Sequence, residues 1–332
     1  MCNCGLPIAR NGFNIHAMLK TDPTRTLTIR RKFESDLVKR FKKVRKDIIT
    51  SIDANDCFGL KDEVHTIQDI LLIQEAVPKK QFVFERNSDK VNAFMQWLNE
   101  QVNNEILEIH DWQQIGEAIE KAWTNKYIQT AYQKGIVRGR QELRNKGYAV
   151  PDVDDLFQGV SAAFNQPFHL DRVGLVYTRT FRGLKGITDE MDKQISQILA
   201  QGLADGMNPK VLAKSISSVF EIVDGFDKAT GMRSITRAKV LARTEVIRAH
   251  HLATIQEYKN WGAEGVEVLA EWSTAGDNRV CPICSDLQGR VYSIAKIEGM
   301  IPRHPQCRCI ALPLDVTDNP NFKRMIEELE NV

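Results

Sequence analysis

The sequence lacks a membrane-spanning run and an excess of either charge. No stretch of its 332 residues approaches the about 18 consecutive apolar residues that a transmembrane helix needs. Forty-five basic and 43 acidic side chains leave a formal net charge of +2, and only 8% of residues are aromatic. The first residues show no basic start followed by an apolar core, so no secretory signal is expected. We therefore expect a protein without membrane segments that folds in a reducing cytoplasm.

Cysteine is present but unevenly distributed. Four of the seven cysteines lie between residues 281 and 309, and the others are Cys2, Cys4 and Cys57. An odd number of cysteines without a secretion signal is a poor basis for a disulfide framework. Clustered cysteines in such a chain are more typical of a metal site.

Apolar residues at helical spacing predict a mainly helical chain. The clearest stripe predicts an amphipathic helix over residues 25–52 through Ile29, Phe33, Leu37, Phe41, Val44, Ile48 and Ile52. The same periodicity predicts further helices over residues 61–75, 88–109, 112–146, 188–202, 208–219 and 234–261. Their expected boundaries include a cap at Thr188 or Asp189 and a C-terminal Gly147. Short apolar runs over residues 266–272 predict strands.

The other faces of the 25–52 helix are basic. Ten basic side chains stand against three acidic ones, and nine of the ten are candidate docking residues: Arg30, Arg31, Lys32, Lys39, Arg40, Lys42, Lys43, Arg45 and Lys46. Two interpretations are open. Either long side chains pack their stems along a solvated helix, or the helix docks on nucleic acid or an acidic protein surface.

Helical periodicity fades over residues 147–172, where Pro151, Gly159 and Pro167 occur. We place a domain boundary there. This divides the chain into a mostly helical region (1–150), a second domain (151–316) and a tail (317–332). The predicted fold class is mainly α, with a small α+β, metal-stapled segment near the C-terminus.

The motif with the clearest chemistry is Cys281-x2-Cys284, followed after nineteen residues by His304-x2-Cys307-x-Cys309. A Cys-x2-Cys turn presents two thiolates to one ion, and a second pair completes the tetrahedron that Zn²⁺ accepts. Thiolates and an imidazole suit zinc better than magnesium or calcium. The predicted ligands are Cys281, Cys284, His304 and Cys307. Cys309 is an alternative fourth ligand, because it points the same way as Cys307 on an extended chain.

Four protein ligands leave no open position for water, which predicts a structural zinc site. Asp277 and Asp286 lie close by in the sequence and are expected to be turn residues beside Gly276 and Gly289. The alternative is a set of unligated buried cysteines or a redox pair.

Three further groups of residues accompany the cysteine pairs in order. Arg243, Thr244 and Glu245 fall within the last long helix, Trp272 in a predicted strand, and Asp277 and Arg279 just before Cys281. With this order and spacing, residues 237–313 resemble the phage Mu F-like family of head morphogenesis proteins. Arg243 and Glu245 do not share a helical face, so no ion pair between them is expected. Two interpretations are open: pairing across the domain, or plain surface charge.

The resemblance implies a minor head protein of a tailed double-stranded DNA phage or prophage, acting in procapsid assembly at the portal vertex. Its implied partners are the portal protein, the major capsid or scaffolding protein, and phage DNA. The implied location is the inside of the head, after assembly in the host cytoplasm. No catalytic residue is implied. The alternatives are a DNA-binding protein or a zinc-containing nuclease in which His250 or His251 activates water.

Overall fold

The computed structural model describes residues 22–61, 81–109, 112–156, 158–220, 233–262 and 269–314. Helices dominate these ranges, and short strands occur after residue 268, which confirms a mainly helical class with a small C-terminal sheet. The predicted helix over 61–75 beyond its first residue, the strand over 266–268 and the tail over 317–332 lie outside the described residues. Among the helices of the described ranges, none is both long and apolar enough to cross a membrane.

The elements follow one another in a simple order. The helices are α1 (Leu27–Ile49), α2 (Asn87–Val102), α3 (Ile115–Glu120), α4 (Asn125–Asn145), α5 (Val160–Phe164), α6 (Pro167–Ala204), α7 (Pro209–Phe220), α8 (Ser234–Gly262), α9 (Pro282–Ser285) and α10 (Ile294–Glu298). The strands are β1 (Leu269–Ser273), β2 (Val291–Ser293) and β3 (Ile310–Pro313). Thr50–Ala54 and Asn103–Leu107 form π-helical turns directly after α1 and α2, and Trp112–Gln114 forms a 3-10 turn before α3.

The chain divides into two compact units, each made of separated segments. Unit 1 comprises Met1–Glu34, Trp123–Thr180 and Val240–Val332, and unit 2 comprises Ser35–Ala122 and Phe181–Lys239. The domain limits predicted at residues 150 and 316 remain predictions.

The apolar stripe of α1 is confirmed. All seven predicted residues are buried, from Ile29 near the start of the helix to Ile52 in the π-helical turn that follows. Burial of such a stripe, rather than intrinsic propensity, supplies most of the stability of a helix in a protein. The positions of these side chains within the core therefore fix which face of α1 carries its charges.

The predicted single helix over residues 112–146 is wrong, because the chain turns between α3 and α4. Trp123, in this turn, packs edge-on against Phe33, with 5.8 Å between ring centroids. Tyr127, one turn into α4, stacks on the same ring at 4.7 Å. Aromatic packing thus overrides the helical periodicity here. Gly147 ends α4 as predicted, with φ +87° and its N–H donating to the Arg144 carbonyl.

The predicted helix start at Thr188 or Asp189 is also wrong. α6 begins at Pro167 and runs for 38 residues, and the Thr188 hydroxyl donates to the Lys185 carbonyl within it. Proline suits the first turn of a helix because its missing N–H would have no partner there. In α2, Arg86 occupies the N-cap, and Asn87 donates its amide to the Leu203 carbonyl.

Helices α4 and α8 of unit 1 approach each other very closely. A Cβ on Gly135 would overlap the backbone carbonyl of His250, and one on Gly139 would lie 2.8 Å from the Cβ of Glu257. The Thr254 hydroxyl donates to the Gly135 carbonyl at 3.2 Å. The two glycines therefore allow direct backbone contact between the two helices.

A buried polar network lies beside this contact. The fully buried carboxylate of Glu257 accepts bonds from Arg140 Nε (2.8 Å), His169 Nε2 (2.8 Å) and Trp261 Nε1 (2.9 Å). His169 Nδ1 lies 3.1 Å from the hydroxyl of Tyr132. The network joins α4, α6 and α8 within unit 1 and satisfies most of the polar atoms that it buries.

The sheet of unit 1 is antiparallel, in the order β2-β1-β3. β1 pairs with β2 through Ala270↔Tyr292 and with β3 through Trp272↔Ala311. Its burial pattern is nearly continuous, as expected of a central strand covered on both faces. β1 precedes the first cysteine pair and β3 directly follows Cys309, so their pairing brings the two cysteine-bearing segments together.

Unit 2 has its own core. Four aromatic rings pack in one group with centroid distances of 5.1 to 6.1 Å, and they belong to Phe58, Phe82, Phe94 and Trp97. α7 packs against the π-helical turn after α1, and Arg45 on α1 donates two bonds to the Ser217 hydroxyl of α7 at 2.9 and 2.5 Å. Asn208 receives a bond from the Lys210 N–H, which confirms the predicted start of α7.

Candidate metal centre

Five potential ligands gather between β1 and β3. Two groups meet the geometric requirement for an ion, with all donor atoms of a group within 4.8 Å of one another: Cys281, Cys284 and His304, and Cys284, Cys307 and Cys309. Cys284 belongs to both. The five residues come from two segments that the sheet and α8 hold together.

The first cysteine pair is a structured turn. Cys281 occupies the N-cap of α9, with Pro282 in the first turn, and its sulfur accepts the Cys284 N–H at 3.4 Å. Both thiols are buried. This turn presents two sulfurs in one direction, as a zinc knuckle requires.

His304 faces this pair with the ring nitrogen that a metal would use. Its Nε2 lies 3.2 Å from the sulfur of Cys281 and 3.1 Å from that of Cys284. Its Nδ1 lies 2.8 Å from the Pro305 carbonyl, so Nδ1 is the nitrogen that carries the proton and donates. The Nε2 lone pair is therefore directed at the thiols. Outer hydrogen bonds of this kind orient metal-ligating histidines.

Cys307 adjoins the first group through Cys284, but its sulfur does not lie within 4.8 Å of both Cys281 and His304. Its sulfur lies 4.0 Å from that of Cys284, and a tetrahedral zinc site separates its ligand atoms by about 3.5–3.8 Å. Contact with the thiols of Cys284 and Cys309 holds the pKa of Cys307 below its usual range. Cys309 is also buried and points to the same side, as predicted for alternate residues. The donor types, thiolates and an imidazole, fit zinc, and one of the two late thiols would have to move closer to Cys281 and His304 to be the fourth ligand.

Asp277 connects the two cysteine segments. Its carboxylate accepts two bonds from Arg308, at 2.6 and 2.5 Å, and a further bond from Arg279 at 3.0 Å. The bonds from Arg308 have the largest effect on the pKa of Asp277, and together with those from Arg279 they lower it well below its usual range. The expectation of a simple turn residue thus understates its role, because Arg308 lies between the two late cysteines. Arg279 is mostly exposed and lies on the outer side of the carboxylate.

The motif on α8 has separate partners for its two charges, as its spacing indicated. Arg243 pairs with Glu34 through two bonds of 2.5 and 2.8 Å. Glu245 is buried and accepts from Arg179 at 3.1 Å and Arg248 at 3.2 Å. All of these contacts lie within unit 1.

Trp272 is fully buried in β1 and belongs to the same apolar cluster as the candidate ligand cysteines. Its backbone N–H donates to Arg290 at 2.8 Å, and its carbonyl accepts from Gly289 at 2.9 Å. The indole therefore packs in the same buried cluster as the cysteines, which gives this motif residue a packing role.

The two adjacent histidines of α8 do not form an open site. Each retains 3% exposure, and burial lowers the pKa of His250 to about 3 and that of His251 to about 4. His251 Nε2 lies 3.1 Å from the Ile297 carbonyl. The gap that both line has a volume of ≈ 10 Å³, room for about one water molecule.

The nine candidate docking residues of α1 differ in accessibility. Arg30 is buried and pairs with Asp22 at 2.5 Å. Arg40 and Lys43 pair with Glu108 and Glu105 respectively, while Arg45 binds Ser217. The side chains exposed to solvent are those of Arg31, Lys32, Lys39, Lys42, Lys43 and Lys46.

Sequence reasoning missed several residues around the centre. Gln306 and Arg308 stand beside or between ligands and bind α8 and Asp277, yet neither belongs to a metal-ligating residue type. The buried network of Glu257 was also missed. The four-residue spacing of Gly135 and Gly139 was the available signal that α4 approaches another helix closely.

Comparison with known proteins gives one match. Residues 193–312 match the family model described as Phage Mu protein F like protein. No curated protein and no solved structure matches the chain. The matched segment contains Arg243, Thr244 and Glu245 as well as all five potential metal ligands. This match confirms the resemblance to the phage Mu F-like family that the sequence motifs indicated.

Proposed function

We propose that this protein is a minor head protein that acts as a structural component in phage head morphogenesis. The observation that carries the proposal is the family match over residues 193–312, together with the metal-ligand cluster that lies inside it. The chemistry of the cluster supports a structural role, because four protein ligands leave no position for substrate or water.

The proposed metal is Zn²⁺, held by Cys281, Cys284, His304 and Cys307. The ion would supply folding free energy by crosslinking two segments that the chain holds nineteen residues apart. Three short strands and two short helices are the only regular elements of residues 269–314. Metal analysis of the purified full-length protein tests the assignment, with one zinc per chain expected.

The proposed partner is the portal protein, with the procapsid as the site of action. The test is co-purification of the full-length, zinc-loaded protein with the portal protein encoded beside it. Deleting the first 60 residues would remove the buried stripe of α1 and destabilise the core, so surface variants are better suited. Failure of the intact protein to associate would contradict the portal assignment.

Within unit 2, α1 offers a basic surface for docking. Lys39, Lys42 and Lys46 are exposed and fall at spacings of three and four residues, so they share one face of the helix. The paired Lys43 borders this face. A row of ammonium groups with helical spacing suits the phosphates of DNA or an acidic protein surface.

Charge reversal at these three lysines separates the two kinds of partner. If the row binds duplex DNA, wild-type affinity falls with salt by a log–log slope of about −0.9 per phosphate contact, and the triple variant shows a shallower slope. The double reversal of Lys42 and Lys46 is compared with reversal of the exposed Lys210 and Lys214 on α7, which is its charge-matched control. Loss of portal association without any DNA affinity would instead assign the row to protein docking.

An enzymatic function has less support. The residues that would activate water in a nuclease, His250 and His251, are buried on α8 with no exposed face for a phosphodiester. A cleavage assay with added divalent metal tests this alternative. Cleavage that disappears in the double His→Ala variant would overturn the structural proposal.

A further inference from the structure

Gln306, which separates the candidate ligands His304 and Cys307, has an unusual backbone. Its φ is +64°, in the left-handed region that side chains other than glycine, asparagine and aspartate seldom adopt. Such a conformation persists where surrounding contacts determine it. The contacts that hold Gln306 come from the Arg243-Thr244 motif on α8.

The hydroxyl of Thr244 holds the backbone of Gln306. It donates to the Val240 carbonyl at 2.7 Å, one turn earlier in α8. This bond fixes the direction of its proton and leaves oxygen lone pairs free to accept. The Gln306 N–H donates to this oxygen at 3.1 Å. The loop is thereby tied to a helix at the residue directly before Cys307.

Arg243 holds the side chain of the same residue. Its Nη1 donates to Oε1 of Gln306 at 2.6 Å. Its Nε and Nη2 donate to the two carboxylate oxygens of Glu34 at 2.5 and 2.8 Å. A bidentate pair of this kind fixes the plane of the guanidinium. The Nη1 group of Arg243 is therefore oriented toward Gln306 by the pair with Glu34.

We infer that Thr244 and Arg243 are positioning residues for the metal loop, acting through Gln306. The inference rests on the proposed zinc site. Together they position the loop that carries His304 and Cys307, the residues that would hold the ion. Neither residue touches the metal. Outer-shell contacts of this kind commonly change metal affinity by about 10–100-fold.

The test measures zinc transfer from the full-length, zinc-loaded protein to a chromogenic chelator. Thr244→Val removes the hydroxyl and keeps the branched shape, whereas Thr244→Ser keeps the hydroxyl as the matched control. We expect release from Thr244→Val to be about 10–100-fold faster and release from Thr244→Ser to match the wild type. In the Co²⁺-loaded protein, the thiolate-to-cobalt bands should shift in Thr244→Val but not in Thr244→Ser.

Gln306→Gly provides a second variant, which suits the backbone φ and removes the contact with Arg243 alone. It should release zinc faster than the wild type. Arg243→Gln also breaks the pair with Glu34, so the double variant is compared with Arg243→Gln alone. Their release rates should be equal, because both lack the contact between Arg243 and Gln306. If Thr244→Val and Gln306→Gly release zinc at the wild-type rate and their cobalt spectra are unchanged, the positioning inference is overturned and the zinc proposal stands. A wild-type protein that binds neither zinc nor cobalt would overturn the zinc proposal and the inference together.

Discussion

Arg308 joins the two halves of the candidate metal centre by donating both ends of its guanidinium to Asp277, with bonds of 2.6 and 2.5 Å. Asp277 lies four residues before Cys281, and Arg308 lies between Cys307 and Cys309. The pair therefore crosslinks the same two segments as the proposed ion. Since bidentate charge-assisted bonds are strong and directional, part of the ligand geometry is expected to persist without metal.

Zinc removal should loosen the C-terminal segment more than the rest of the chain. After chelation, with metal loss confirmed by elemental analysis, we expect hydrogen-exchange protection over residues 269–314 to fall about tenfold or more, because structural zinc contributes folding free energy directly. α2 in unit 2 serves as the internal reference. An unchanged exchange pattern in a protein shown to be metal-free would contradict a structural role for the ion.

The fourth ligand can be identified by two matched substitutions. Cys307→Ser should abolish tight zinc binding, and Cys309→Ser should retain one zinc per chain, because the sulfur of Cys307 is the one that lies 4.0 Å from Cys284. Cys57→Ser, at a buried thiol in unit 2, is the control. The opposite pattern, zinc lost from Cys309→Ser and kept by Cys307→Ser, would assign the ligand to Cys309.

The buried carboxylate of Glu257 should be among the most sensitive positions in unit 1. Glu257→Ala removes the acceptor of three buried donors, on Arg140, His169 and Trp261. Breaking a buried pair in this way typically costs about 3–5 kcal/mol of unfolding free energy. Chemical denaturation of the zinc-loaded protein measures the loss.

The control for this prediction is Asp152→Ala, which breaks the exposed pair of Asp152 with Arg144. Exposed pairs contribute little to stability because solvent screens them. Equal, small losses for the two variants would show that the Glu257 network contributes no more than a surface contact.

Asp192 in α6 predicts a pH dependence of stability. Burial, with a smaller contribution from Asp189, raises the pKa of Asp192 to about 7. Its Oδ1 is buried without a hydrogen-bond partner in the described chain. A carboxyl with a raised folded-state pKa binds its proton more tightly when folded, so its contribution favours folding at low pH and declines between about pH 4 and 7.

Asp192→Asn should therefore equal the wild type near pH 4 and exceed its stability above pH 7, by on the order of 2 kcal/mol. Urea unfolding at pH 4.5 and pH 8 measures the difference, with Asp171→Asn, at an exposed carboxylate of the same helix, as the control. A constant difference at both pH values would show that the Asp192 carboxyl titrates normally.

Much of this architecture could be predicted from local patterns. The stripe of α1 marks a buried face because its spacing matches the helical repeat, and the five metal-ligating side chains are recognisable from residue type and spacing alone. The break at residue 123 could not be predicted, because it depends on contact with Phe33, ninety residues earlier. The sequence predicts a helix only from residue 188, whereas α6 begins at Pro167. A proline is compatible both with a domain boundary and with the first turn of a helix, so its residue type does not decide between them.

The contacts around the ligands were beyond local reasoning for a similar reason. Gln306 binds residues 62 and 63 positions earlier, and Arg308 binds one 31 positions earlier. Side-chain chemistry gives no sign of such distant partners. The motif residues Arg243, Thr244 and Asp277 could be identified from their order in the chain, but their physical role required the folded arrangement.

Gly135 and Gly139 allow α4 to approach α8 closely enough for a charged pair to be buried between the two helices. A methyl group at either position would force α4 and α8 apart, because it would meet the His250 carbonyl or the Glu257 side chain. Arg140 is adjacent to Gly139 and reaches Glu257 across this junction at 2.8 Å. The two glycines of α4 thus determine whether Arg140, on the same helix, comes close enough to Glu257 for its charge to be neutralised.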